Sequence, residues 1–226
     1  FRSSPVRLQK STGNCLYQER ILLYMNYDSV PLRDFKELND WETVIFVYQS
    51  ALKQVETKID ILNGEFQHRH KYNPIEHVKS RIKTPESIVK KLKRHGYESS
   101  IENMVRYVND IAGIRISCSF TSDIYLIADM ISKQNDLTIL ARRDYMKNPK
   151  KSGYRSYHML VTTPVFLSDS IIDTKVEIQI RTVAQDFWAT LEHKMHYKFE
   201  GDGPDYITKE LRECARYVAE LDTRME

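Results

Sequence analysis

The chain has 226 residues, 41% of them hydrophobic and 29% charged, with a formal net charge of +3. That content sustains a buried core, and no run of 18 uncharged apolar residues or charged-then-apolar leader is present. The composition therefore argues against a membrane span or a secretory signal, and the cytoplasm is the expected compartment. Cys15, Cys118 and Cys214 are odd in number, far apart and without CxxC spacing, which argues against a disulfide framework or a cysteine zinc site.

Charge is segregated. Residues 67–95 hold nine Lys/Arg against two Glu, and residues 141–158 hold six against one Asp. Those balances of +7 and +5 leave −9 for the remainder of a chain whose total is +3. Two basic blocks in an otherwise acidic chain address something anionic, nucleotide phosphates or nucleic acid, with solvated helix faces as the plainer alternative.

Residues 1–33 have mixed polarity without a period and are expected to be a flexible arm or cloning remnant, with one folded domain over 34–226. From Asp34 the pattern is helical: Trp41, Val44, Ile45, Tyr48, Leu52, Val55, Ile59, Leu62 and Phe66 recur every three or four residues, with Gly64 near the end and a turn at Asn73-Pro74. Thr84-Pro85-Glu86 starts a helix to about Arg94, stopped by Gly96. Ser99 with Glu102 predicts a capping box for a short helix through Val108. DIAGIRISCSF, Asp110 to Phe120, reads as an interior strand, followed by a helix capped at Thr121-Ser122-Asp123. Further strands fit 137–141, 157–163 and 175–181, with a long basic loop over 142–153. A helix from Val183 to about Phe199 and a last one from about Asp205, burying Ile207, Leu211, Cys214, Val218 and Leu221, complete the chain. The order predicts an α+β fold: a mixed β-sheet of about five strands packed with helices, and helical extensions at both ends.

Three constellations carry candidate chemistry. Asp110 and Glu177 each stand on a predicted strand, and two carboxylates beside cationic blocks suit Mg²⁺, which takes oxygen ligands and shares phosphate oxygens. A turn cap at Asp110 and an ion pair of Glu177 with Arg181 or Arg115 remain open as the alternative. In KKSGYRSYH, Lys150 to His158, Tyr154 beside Arg155 offers a flat face next to a cation, suited to stacking a base, against the alternative of an ordinary strand start. In SRIK, Ser80 to Lys83, Arg81 and Lys83 alternate, and with Ser87, Lys91 and Arg94 they form a phosphate clamp made of side chains, since neither GxxxxGK[ST] nor GxGxxG occurs. His193 and His196 make a weak HxxH pair without H-E-x-x-H, and no His-Asp dipeptide is present.

DIAGIR, then GYRSYH, then the run from Glu177 to His193, with NPIEHVKSRIK at Asn73 to Lys83, make the chain similar to the small alarmone synthetases, the synthetase-only branch of the RelA/SpoT superfamily, over about 41–226. The resemblance implies a nucleotidyltransferase-like fold and a (p)ppGpp synthetase of the stringent response. In that reaction the β,γ-pyrophosphate of ATP moves to the 3′-hydroxyl of GDP or GTP, leaving AMP. It implies Mg²⁺ on Asp110 and Glu177, with Glu177 also accepting the 3′-OH proton. Arg81 and Arg115 flank adenine, while Lys83, Ser87, Lys91 and Arg94 hold the ATP phosphates. Tyr154 stacks on guanine, Lys150, Arg155 and His158 lie near the acceptor's phosphates, Gln179 and Asp186 lie around its ribose and base, and Arg143 also belongs to the guanine-nucleotide site. It further implies a homotetramer and no hydrolysis of the product. Gln185 stands where Met is common in the family, and Asp186 where some relatives carry Asn. The rival from another class is a non-catalytic nucleotide- or RNA-binding module.

Overall fold

The computed structural model of the chain describes residues 40–199 and 204–226, all within one unit spanning 32–226. The arm expected over residues 1–33 falls outside the described residues. Helix α1 (Trp41–His70) begins where the Asp40 carboxylate accepts the Thr43 N–H at 2.7 Å and ends at Lys71, whose positive φ closes the last turn onto the Gln67 carbonyl. It runs through Gly64 because nothing after that glycine breaks it before Pro74, and His68, Arg69 and His70 suit the negative end of its dipole.

Asn73 and Pro74 lead into β1 (Ile75–Ile82), a fifth strand of the sheet, where the sequence reading noted only the alternation of Arg81 and Lys83. Helix α2 (Pro85–Arg94) has the expected Thr84 cap and proline at its start. Helix α3 (Ile101–Tyr107) is capped by Ser100, whose Oγ accepts the Asn103 N–H at 3.2 Å, one residue later than the Ser99 box predicted. Strand β2 (Ala112–Cys118) is followed by α4 (Thr121–Ser132), then β3 (Thr138–Asp144), β4 (Tyr157–Phe166), β5 (Ile171–Thr182), α5 (Val183–Lys198) and α6 (Asp205–Met225).

The sheet order is β1-β2-β5-β4-β3, mixed in sense: β2 and β5 are parallel and every other pair antiparallel. Alternation gives each strand one apolar side. Ile114, Ile116, Val176, Ile178, Ile180, Met159 and Val161 are fully buried in one core with Val44, Val47, Tyr48, Val55 and Ile59 of α1 and Ile124, Ile127 and Ile131 of α4. The opposite side of the sheet carries the charges.

A second, smaller cluster joins Tyr154, Trp188, Ala189 and Ala215, with Trp188 donating to the Leu211 carbonyl at 2.8 Å. It ties the loop after β3 to α5 and α6. Gly153 has φ +94, and a β-carbon there would lie 2.5 Å from the Ala215 Cβ. Helix α6 packs Leu211 and Val218 against this cluster and half-buries Ile207, as expected, but it is turned so that Ala215 and Asp222 are buried, whereas Cys214 and Leu221 are exposed. The polar anchor decides the rotation. Asp222 accepts from Thr182 Oγ1 at 3.0 Å and from Gln185 Nε2 at 2.6 Å. This also accounts for a polar residue at 185. The Glu226 carboxylate in turn accepts the free N–H groups of Thr121 and Ser122 at the start of α4.

Gly153→Ala is expected to cost about 1–3 kcal/mol of stability, through positive-φ strain and collision with Ala215, and urea denaturation compared with the parental protein measures it.

Candidate active site

The charged side of the sheet is ordered by register. Lys79, Arg115, Gln179, His158 and Arg143 form one row across all five strands, and Arg81, Gly113, Glu177 and Leu160 form the next. Gly113 puts no side chain between Arg81 and Glu177.

Asp110 lies in the turn just before β2. Its Oδ2 takes Lys83 Nζ and its Oδ1 takes Lys91 Nζ, each at 2.8 Å. Burial alone raises its pKa, but the Lys91 charge and the Lys83 hydrogen bond outweigh that and bring it down to about 2. Glu177 is also driven below the ordinary carboxylate range. Burial opposes ionisation there, while His158 and a 2.8 Å hydrogen bond from Gln179 Nε2 favour it. The Asp110 charge is near enough to act against it. The two acids therefore share one locale and both are ionised. Among the described residues no third His, Cys, Asp or Glu joins them as a metal-ligating group.

His158 sits between the two constellations. The Tyr154 hydroxyl is 2.9 Å from its Nε2, and its Nδ1 is 3.5 Å from Glu177 Oε1. Burial pulls the His158 pKa down, against the pull of Glu177 upward, which favours the neutral ring, and Nδ1 is the nitrogen that faces the carboxylate.

Tyr154 is 9% exposed, so its ring is packed rather than presented as an open platform. The Lys150 ammonium lies 4.7 Å and the Arg181 guanidinium 5.4 Å from the ring centroid. Arg155 departs from the expected arrangement. The alternation that sends Tyr154 and His158 toward Glu177 sends Arg155 and Tyr157 the other way, and Arg155 Nη1 donates to the Met146 carbonyl at 2.7 Å, holding the loop. Tyr157 meets Tyr125 of α4 edge-on, on that other side.

Arg115 and Asp186 are brought together at 3.4 Å, with Lys79 at 3.8 Å and Arg181 at 3.7 Å from the same carboxylate. Ser87 hydrogen-bonds Thr84 at the α2 cap, and Arg94 is exposed on the last turn of that helix. His193 is exposed on α5, and the side chain of His196 lies outside the described residues.

Two cations are buried: Arg181, read from the sequence only as a possible partner of Glu177, and Lys175, which escaped that reading. Arg181 is 1% exposed; among the described residues its Nε and Nη1, with Asp186 Oδ1 and Arg115 Nε, make no hydrogen bond. Lys175 is 5% exposed and bonds only neutral oxygens. Arg181 was visible as a polar position in the alternation of β5, whereas the partners of Lys175 come from a distant turn with no sequence signal.

Residues 80–202 match the family described as the region found in RelA/SpoT proteins. GTP pyrophosphokinase YwaC of Bacillus subtilis is 46% identical over 188 residues, which is 83% of this chain and 90% of that protein. The chain belongs to the small alarmone synthetase branch of the RelA/SpoT family. The crystal structure of small alarmone synthetase 2 from Bacillus subtilis matches it with a TM-score of 0.76 and 45% identity, over 83% of this chain and 96% of that one. That of small alarmone synthetase 1 from the same organism, bound to its product pppGpp, matches with a TM-score of 0.76 and 34% identity, over 82% and 94%. The α+β, five-stranded fold expected from sequence is the synthetase fold.

The depressed pKa of Asp110 has a consequence for stability. An acid whose folded pKa lies below its unfolded value of 3.8 stabilises the fold above that value and loses the contribution as pH falls toward about 2. Asp110→Asn should therefore flatten the decline of stability across this window relative to the parental protein, as read by urea titrations at successive pH values.

Proposed function

We propose that the chain is a (p)ppGpp synthetase that transfers the β,γ-pyrophosphate of ATP to the 3′-oxygen of GDP or GTP. The observation that supports this reading is that two ionised carboxylates, Asp110 and Glu177, lie near enough for the charge of one to act on the other, with Lys83 and Lys91 on Asp110 and His158 beside Glu177. Both acids fall within residues 80–202, the part of the chain that matches the RelA/SpoT family.

The acceptor's 3′-oxygen attacks the β-phosphorus of ATP and gives its proton to Glu177. The bond from that phosphorus to the α,β-bridging oxygen breaks, and AMP departs. Lys83, Lys91 and Arg94, with Ser87, hold the donor phosphates, and Arg81 and Arg115 flank adenine. Lys83 and Lys91 exchange the Asp110 oxygens for phosphate oxygens as ATP enters. Transfer of this type depends on positioning and on cations that stabilise charge growing on the oxygens, which a side with this density of Lys and Arg supplies.

The donor chemistry fits Mg²⁺. Asp110 and Glu177 are ionised oxygen donors, and with no third acidic ligand among the described residues the remaining positions belong to phosphate oxygens and water. Bound there, the ion neutralises polyphosphate charge. Guanine takes the place of Lys150 at the Tyr154 ring. Lys150 and Arg143 serve its phosphates, His158 keeps Glu177 oriented, and Gln179 and Asp186 border the ribose and base. Arg155 acts on the same nucleotide through the loop whose backbone it holds.

No described helix is long and apolar enough to cross a membrane. We place the activity in the cytoplasm and the active form as a homotetramer, supported by exposed Phe46 and Ile61 on α1 and Tyr206, Tyr217 and Met225 on α6. Light scattering reads the mass.

Glu177→Gln and Asp110→Asn should each abolish alarmone formation from ATP and GDP in Mg²⁺ while ATP binding by calorimetry persists. Turnover near the parental rate in either variant refutes the assignment, as does full activity with the divalent ion chelated. Tyr154→Ala should raise the KM for the guanine nucleotide on the order of tenfold and that for ATP little, because base stacking contributes about 1–3 kcal/mol. Equal rises in both reject the stacking role.

A further inference from the structure

Lys175 is a buried ammonium without a carboxylate partner among the described residues. Its Nζ donates to the Arg106 carbonyl at 3.0 Å and to Asn109 Oδ1 at 2.9 Å. Taking a cation out of water to meet only neutral oxygens is unfavourable, and an apolar side chain of similar length would fill the slot without that cost. Its surroundings connect it to the chemistry. Lys175 lies two residues before Glu177, on the same side of β5, one position ahead of the first β2–β5 register pair, Ala112 with Val176. The two oxygens it holds belong to the segment that leads into Asp110.

We propose that Lys175 is a positioning residue that ties the Arg106–Asp110 turn to the strand carrying Glu177 and so sets the spacing of the two carboxylates. The inference rests on the reading of those carboxylates as the reacting pair. Lys83 and Lys91 also grip Asp110, but in the proposed reaction they turn to the donor phosphates as ATP binds. Lys175 does not touch the carboxylates and faces no substrate, so its hold on the turn outlasts that exchange. The third carboxylate of a closed metal site is absent among the described residues, and the geometry of the remaining two has to come from the backbone that bears them.

Lys175→Met fills the slot and removes both hydrogen bonds. Its kcat should fall on the order of 100-fold, the size of effect a displacement of about 1 Å has on a reacting geometry. The KM values for ATP and GDP, and the calorimetric affinity for ATP without metal, should each stay within about threefold, because ground-state contacts are untouched. Manganese affinity in the presence of ATP, read by electron paramagnetic resonance, should weaken about tenfold or more, as it does when partners that orient metal ligands are lost. Asn109→Ala removes one acceptor without disturbing the core, so it tests the tie even if Lys175→Met folds poorly. It should lower kcat in the same pattern, and in the double variant the two losses should fail to add. A cooperatively folded Lys175→Met enzyme with parental kcat overturns the proposal, as does a raised KM at unchanged kcat. Glu177→Gln run alongside separates the two levels. If it stays active, the carboxylate assignment itself falls; if it is inactive while Lys175→Met is not, only the role of Lys175 falls.

Discussion

Parallel pairing of β2 with β5 is the constraint on which the site depends. It brings together two segments more than sixty residues apart, each with an apolar side committed to the helices behind. Once Ile114 and Ile116 of one and Ile178 and Ile180 of the other are buried, period-two alternation leaves Arg115, Glu177, Gln179 and Arg181 no choice of side. A slip of one residue would bury Glu177 beneath α1 and expose isoleucines, so the packing energy of the core enforces the register of the chemistry. Antiparallel neighbours on both flanks extend the same logic and produce a row of five polar side chains across the whole sheet.

That constraint explains what could be read from sequence. Alternation in β5 and the acidic residue ahead of β2 are local patterns, and Asp110 and Glu177 were legible because a carboxylate beside an interior strand conflicts with burial. The Thr84-Pro85 helix start was legible for the same kind of reason, since cap, proline and acid are contiguous. The rotation of α6 was not, because Asp222 finds its partners Thr182 and Gln185 some forty residues away. Nor was the β1 strand, whose single buried apolar side chain, Ile75, gives no alternating signal on a sheet edge. The orientation of Arg155 failed for a different reason: the motif reads as one cationic patch, but adjacent residues of an extended segment face opposite sides.

Pairs within the site also show how charge segregation in sequence becomes a substrate address. The structure satisfies its cations internally, Lys83 and Lys91 on Asp110, Arg115 on Asp186, and Lys150 against the Tyr145 and Tyr154 rings. In the proposed reaction a nucleotide replaces each of these partners, phosphate for carboxylate and base for ammonium. Binding by such an exchange brings no new charges out of water, which would keep the desolvation cost of the cations low. Arg181 and Asp186 complete the logic from the other direction. Arg181 Nε and Nη1 and Asp186 Oδ1 lack hydrogen bonds among the described residues, and a group left in that condition gains more from an incoming hydroxyl or ring nitrogen than a satisfied one does. On the proposed function, part of the affinity for the acceptor would come from relieving this arrangement, which the sheet register places beside Gln179.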